Sequence, residues 1–184
     1  MKRIIAIVLS VVLAFGALSL VGCSKKGSDE TTTAAPKEGY RDITVTNGDI
    51  SATVNLPELG GIEESDNGEG DKSVSIYTAA DEYVYASIEL ILTTTDKESK
   101  DKTIAGERES ITYETEKLEI GGCEACMYDY SEEDSRQAEF FIYAPTSDGF
   151  AEFDIYVGDS LMNLTDEQWQ QIIDAVKNGT VLNA

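Results

Sequence analysis

Residues able to do chemistry are few in this chain, and they fall into three groups. The first is a set of aromatic residues in one register of alternating segments: Tyr77, Tyr83, Tyr85, Tyr128, Tyr130, Phe141, Tyr143 and Tyr156, interspersed with Glu89, Glu139, Glu152 and Asp154, with Tyr83, Tyr85, Tyr128, Tyr143 and Tyr156 as the candidate binding face. Aromatic rings beside carboxylates suit a shallow surface that stacks on a sugar or holds a cationic group over a π-face. Clustered exposed aromatics also mark protein interfaces. The competing reading is structural, because tyrosine favours any pleated, half-buried surface. The second group is Cys123-Glu124-Ala125-Cys126, a C-x2-C. A redox pair of this spacing needs its first thiol at a helix N-terminus, and the residues that follow read as a strand. In a regular strand, positions i and i+3 point to opposite faces. A turn opened by Gly121-Gly122 would permit a local disulfide, and two independent small residues satisfy the spacing equally well.

The third group is acidic. Segments 64–71 and 131–135 are rich in Asp and Glu, and calcium takes six to eight oxygens from such loops. Neither has the regular acids and closing Glu of an EF-hand. No histidine occurs anywhere, which excludes Ser-His-Asp and Cys-His catalysis and His-bearing zinc sites. Nothing in the sequence places two acids at the separation glycoside hydrolysis requires. No phosphate loop or dinucleotide fingerprint is present. The expectation is a protein that is not an enzyme and carries no metal or other cofactor.

The chain opens with Lys2 and Arg3, followed by an uncharged, largely apolar run to Val21, the form of an export signal. Leu20-Val21-Gly22-Cys23 ends that run and resembles the lipobox of bacterial lipoproteins. The resemblance implies cleavage before Cys23, a diacylglyceryl group on its sulfur, and acylation of the new N-terminus. Two or more acyl chains anchor a protein stably, at about 0.8 kcal/mol per buried CH2. Residues 1–22 are thus expected to be a lipoprotein signal, 23–40 a lipidated cysteine with a flexible polar tether, and 41–184 one domain. The membrane, reached through the lipid on Cys23, becomes a partner, with the domain on the extracytoplasmic side.

Losing Lys2 and Arg3 with the signal takes the basic count from 14 to 12 against 35 acids, and the formal charge from −21 to −23. Such a chain is repelled by nucleic acid and by anionic head groups. Its charge suits solubility, a cationic ligand or a divalent ion. Candidate partners are a cell-surface protein, a glycan or a cationic ligand, with no nucleic acid. A calcium-binding or purely structural envelope component is the alternative.

The elements that must position these residues follow from periodicity. Ile43 and Val45, then Ile50, Ala52, Val54 and Leu56, alternate with polar residues around Asn47-Gly48, which predicts a hairpin with a two-residue turn. Further strands are expected over 73–78, 83–93, 111–120 (with a bulge), 123–130, 137–144 and 150–157. The stretch 58–73 reads as a Gly- and Asp-rich connection, and 95–110 as polar with room for a short helix. Near the end, Thr165 and Gln168 form a capping box, and Trp169, Ile172, Ile173 and Val176 make one apolar stripe. Gly179 is placed to close this helix in the left-handed conformation, and Trp169 is expected to be its largest buried contact. The fold class is α+β: an antiparallel sheet of six to seven strands with a C-terminal amphipathic helix on one face. This element order, with its "LEIGGCEACMYDY" strand entry, resembles the Mog1/PsbP-like α/β/α sandwich over roughly residues 41–182. The resemblance implies a binding or assembly factor and assigns no functional residue.

Overall fold

The computed structural model describes residues 38–77, 84–108, 111–112 and 115–184, and the side chains of residues 84, 85, 108, 111 and 112 fall outside that description. The signal segment and most of the tether, Cys23 included, lie outside the described residues. Among the described residues no helix is long and apolar enough to cross a membrane.

The elements run β1 (Tyr40–Asn47), β2 (Ile50–Pro57), β3 (Gly61–Gly68), β4 (Asp71–Tyr77), β5 (Val84–Thr95), α1 (Lys97–Ile104), β6 (Glu107–Arg108), β7 (Ile111–Thr112), β8 (Thr115–Ile120), β9 (Cys123–Asp129), β10 (Arg136–Pro145), β11 (Phe150–Asp159), α2 (Asp166–Gly179) and β12 (Thr180–Asn183). A seven-stranded sheet has the order β3-β4-β5-β11-β10-β9-β8, with antiparallel pairing throughout. The expected strand number therefore holds, but the expected hairpin is not part of this sheet. β1 and β2 join β12 in a separate three-stranded sheet, and β6–β7 form a small ribbon.

One core holds the layers together. The inward register of the large sheet supplies Val74, Ile76, Ile88, Leu90, Leu92, Phe140, Ile142, Phe153, Ile155 and Val157. They share a buried cluster with Ile43, Val54 and Leu56 of the small sheet and with Ile172 and Val176 of α2. Burying such side chains stabilises the fold by about 1.5–3 kcal/mol each. The hairpin and α2 are thus the cover that the aliphatic face needs, which is why β1 lies near β5 and β12 near β10.

The strand expected over 111–120 is divided between β7 and β8, which belong to different sheets, and local detail departs from expectation at four further places. The hairpin turn is Gly48-Asp49, one residue later than read, because Asn47 pairs with Ile50. Asn47 is kept in the strand while its carboxamide donates to the Leu92 carbonyl at 2.8 Å. The connection after β2 contains a strand, β3, whose residues Glu63–Gly68 are all exposed. Pairing with β4 makes it a strand without any apolar alternation, and its charges guard an open sheet edge. Trp169 is only partly buried at the border of the core, whereas Ile172, Ile173 and Val176 are buried.

Gly179 is the fourth. It has no positive φ, and the helix passes directly into β12 through Thr180 in extended geometry. A Cβ at Gly179 would sit 3.1 Å from Asn55 Cβ, so the position needs glycine for close approach to β2 rather than for a left-handed cap. The helix end is satisfied instead by the Thr180 hydroxyl, which donates to the Val176 carbonyl at 2.7 Å. At the other end the capping box forms as read from the sequence.

Candidate functional site

The outward face of the large sheet carries the tyrosines and acids, and one helix divides it. α1 is a polar helix whose cause is local. The Asp96 side chain accepts from the Ser99 N–H at 2.8 Å as its N-cap, which satisfies an orphan donor of the first turn. Lys97 pairs with Asp101, and Glu98 with Lys102 at 2.7 Å, both at the i, i+4 spacing that supports a helix. Lys100, Thr103 and Ile104 remain on its underside and are buried.

That underside closes half of the face. Tyr128, Phe141, Tyr143, Cys126 and Ile104 form a second buried cluster, separate from the main core. Tyr128 is fully buried and Tyr143 is 2% exposed. The Tyr128 hydroxyl donates to the Thr103 carbonyl, and its ring lies 5.3 Å from that of Phe141. Lys100 sits above the Phe150 ring at 5.0 Å, with its ammonium 2.5 Å from Glu124 and 3.1 Å from Asp101. Burial pulls the Lys100 pKa down, but the hydrogen bonds and charges of Glu124 and Asp101 outweigh it and hold the group above its ordinary value. Burial pushes the Tyr143 hydroxyl well above its ordinary pKa. Tyr128 and Tyr143 therefore cannot belong to an open binding face, contrary to expectation. The face they sit on has aromatic character, and exposed aromatic area is what a short covering helix removes from water.

The C-x2-C pair is likewise separated. Cys123 belongs to the main core and Cys126 to the cluster under α1, as the alternation of β9 requires. Cys126 carries a buried thiol whose Sγ lies 3.7 Å from the Thr103 carbonyl. A Cys123–Cys126 disulfide is thereby ruled out. Gly121 and Gly122 do form a turn, between β8 and β9, with φ of 58° and 77°. It reverses the chain and does not bring the two sulfurs together.

Among the described residues, no helix covers the other half of the face. Register places Glu89 of β5 beside Tyr156 of β11, and Tyr156 beside Glu139 of β10. Glu63, Asp71, Glu152 and Asp154 occupy the same outward register. Among the described residues, none of the outward positions of β3, β4, β5, β11 and β10 is Lys or Arg. Tyr156 is half-buried and donates to Gln137 Oε1 at 3.1 Å. Burial, then the charges of Glu89 and Glu139, raise its pKa. Tyr130 donates to Glu139 at 2.8 Å, and Tyr77 to Glu63 at 2.7 Å. Of the five tyrosines of the candidate binding face, Tyr156 alone is placed at this surface; of the others in the same register, Tyr77 lies on it and Tyr130, packed at the edge of the covered cluster, reaches it through Glu139. Tyr83 and the side chain of Tyr85 lie outside the described residues. Gln137 belongs to the site and was legible only as a neighbour of Glu139 and Tyr156 on the same face.

What this surface offers is negative charge and ring edges held in place by hydrogen bonds, an arrangement suited to a cationic group. Among the described residues no group of three or more His, Cys, Asp or Glu side chains is gathered to hold a metal ion. A shallow depression of about 510 Å3, lined by Lys97, Glu98, Asp101, Lys102, Ala105 and Glu107, lies on the exposed side of α1, away from the tyrosines.

No protein-family model and no curated protein matches this chain. Among solved structures, LpqN of Mycobacterium tuberculosis, described as involved in cell envelope biogenesis, is similar with a TM-score of 0.46 at 16% identity. That match covers 79% of this chain and 92% of the other. A protein of Bacteroides thetaiotaomicron is similar with a TM-score of 0.39 at 11% identity, over 72% of this chain and 45% of the other. Both scores are too low to bear on what this chain does.

Proposed function

We propose that the chain is a membrane-anchored extracytoplasmic lipoprotein, acylated at Cys23, whose domain is a binding module for a cationic group on a cell-surface protein or glycan. The observation that carries the binding half is the row Glu89–Tyr156–Glu139, set among outward positions of β3, β4, β5, β11 and β10 that include no Lys or Arg among the described residues. A cationic ligand there meets carboxylates on both sides of a ring edge, and electrostatic attraction across such a surface speeds encounter. The sequence motif Leu20-Val21-Gly22-Cys23 carries the anchoring half.

The test of binding is titration of full-length protein in detergent with hexalysine, at low and at physiological salt. Glu89→Gln together with Glu139→Gln should abolish saturable binding, and Tyr156→Phe should weaken it less. Equal binding by the wild type and the double variant sinks the reading. Anchoring is tested separately by intact mass of the native protein, which should begin at Cys23 and exceed the bare polypeptide by its acyl groups.

A further inference from the structure

At one end of the large sheet the chain leaves β11 through a loop that is shaped by a buried acid. Asp159 is fully buried. Its carboxylate accepts the Asn163 N–H at 2.9 Å and the Leu164 N–H at 3.1 Å, and its carbonyl accepts the Met162 N–H at 3.3 Å. These bonds fold residues 160–163 back on themselves. Met162 is thereby held at φ 49°, and it is the one described residue other than glycine with positive φ. Such a conformation persists in a bulky residue only where its surroundings impose it.

The loop so fixed presents apolar side chains to water. Leu161 is 75% exposed and Met162 is 39% exposed, while Leu164 beside them is buried. A turn serving only to reverse the chain favours Gly or Asn at the positive-φ position and polar residues at its tip. Here both positions carry large apolar groups on a rigid support, and a rigid support lowers the ordering cost of binding. Methionine adds a side chain that adapts to an irregular pocket.

The surroundings define the occupant. Arg136 pairs in register with Asp159, so the β9–β10 turn, with exposed Glu132, Glu133 and Asp134, lies at the same end of the sheet. Asp166 and Glu167 open α2 just beyond the loop, and Arg136 reaches Asp166 at 2.6 Å. An apolar knob in an acidic surround complements an apolar pocket rimmed by Lys and Arg. An anionic bilayer surface would repel it. We infer that Leu161 and Met162 form a docking knob for a protein partner whose apolar pocket has a basic rim. This surface is distinct from the Glu89–Tyr156–Glu139 row and does not depend on it.

The test replaces Leu161 with p-benzoylphenylalanine in the full-length chain in its own cells, with exposed Val181 of β12 as the comparison position. Irradiation should give one discrete protein adduct from position 161 and none from 181. The cross-linked partner peptide should be apolar and flanked by Lys or Arg. Neutralising Glu132, Glu133 and Asp134 to Gln, Gln and Asn should lower the yield by about tenfold. Leu161→Ser should leave the urea midpoint unchanged but abolish co-purification of the partner so identified. An acyl-lipid adduct, an adduct between two copies of this chain, equal yields at both positions, no adduct, or indifference to the charge changes would each overturn the inference.

Discussion

The division of the outward face by α1 can be measured through Cys126. Its thiol is fully buried beneath α1, so a reagent reaches it only when α1 lifts or the whole domain unfolds. Tyr128→Phe removes the hydroxyl that donates to the Thr103 carbonyl and leaves the ring in place. The carbonyl is not orphaned, because the Gly106 N–H also donates to it at 3.0 Å. The cost is therefore that of one net hydrogen bond, about 1 kcal/mol, rather than a full desolvation penalty. If α1 opens as a local unit, the open population rises about fivefold. Under native conditions with rapid reclosing, the rate at which iodoacetamide labels Cys126 follows that population. Labelling, read on the peptide containing Cys126, should thus be about fivefold faster in Tyr128→Phe. The global urea midpoint, measured in parallel, gives the free energy of whole-domain unfolding. The labelling free energy of the wild type should lie well below it. An unchanged labelling rate would refute the idea that this hydrogen bond holds α1 down. A labelling free energy equal to the global value would refute local opening altogether.

Three further outcomes follow from the same structure. Ile172→Ala, at a fully buried position, should cost about 2–5 kcal/mol, and Trp169→Ala at the border of the core about 1–2 kcal/mol; urea titration of both variants checks the order. Gly121→Ala should cost about 2–3 kcal/mol, because φ is 58° and the new Cβ would lie 2.8 Å from the Thr180 carbonyl; a melt unchanged from wild type would contradict it. Asp96 is held below its ordinary value of 3.8 chiefly by the Ser99 N–H, and Asp101 below its own chiefly by Lys97 and then Lys100. Both contribute fully above pH 3.8 and lose that contribution as pH falls through their lower folded values, so hydrogen-exchange protection of amides 100–105 should fall in acid below pH 3.8, earlier than that of β10.

Much of the architecture was legible because alternation reports which side of a strand is buried. Ile43, Val45, Ala52, Val54 and Leu56 gave both strands of the hairpin, and the Thr165–Gln168 capping box with its apolar stripe gave α2. Alternation does not report what covers a face. The hairpin satisfied the same pattern whether it extended the large sheet or lay across it, and the second arrangement is the one found. β3 left almost no trace in the sequence, since beyond Ile62, which packs against the core, its residues Glu63–Gly68 are exposed and need no apolar side chain. Tyr128 and Tyr143 posed the same problem at the site. A tyrosine on an outward register can be open or capped, and its residue type fits both states. The deciding signal was present but weak: Lys100, Thr103 and Ile104 share one side of a helix whose other residues pair at i, i+4. One apolar residue in that set is too little to distinguish a covering helix from a solvated one.

The distribution of bases explains why one half of the face can close while the other stays open. Every residue the helix contributes as a cation, namely Lys97, Lys100 and Lys102, finds a carboxylate on α1 itself or on Glu124. Lys100 alone is buried, and it meets Glu124 of β9, on the far side of buried Tyr143 from β11. On the open side β5 carries exposed Glu89, while Glu152 and Asp154 of β11 flank the closed cluster beside Tyr143 and Phe141, and a second polar helix laid there would have to bring its own cations to acids spread over two strands. A helix built as α1 is, with its bases already satisfied, would add carboxylates to carboxylates. Among the described residues no helix covers the open half, and the charges there that would disfavour one are those a cationic ligand would meet. If the proposed binding holds, vacancy and affinity on that surface have a single electrostatic cause.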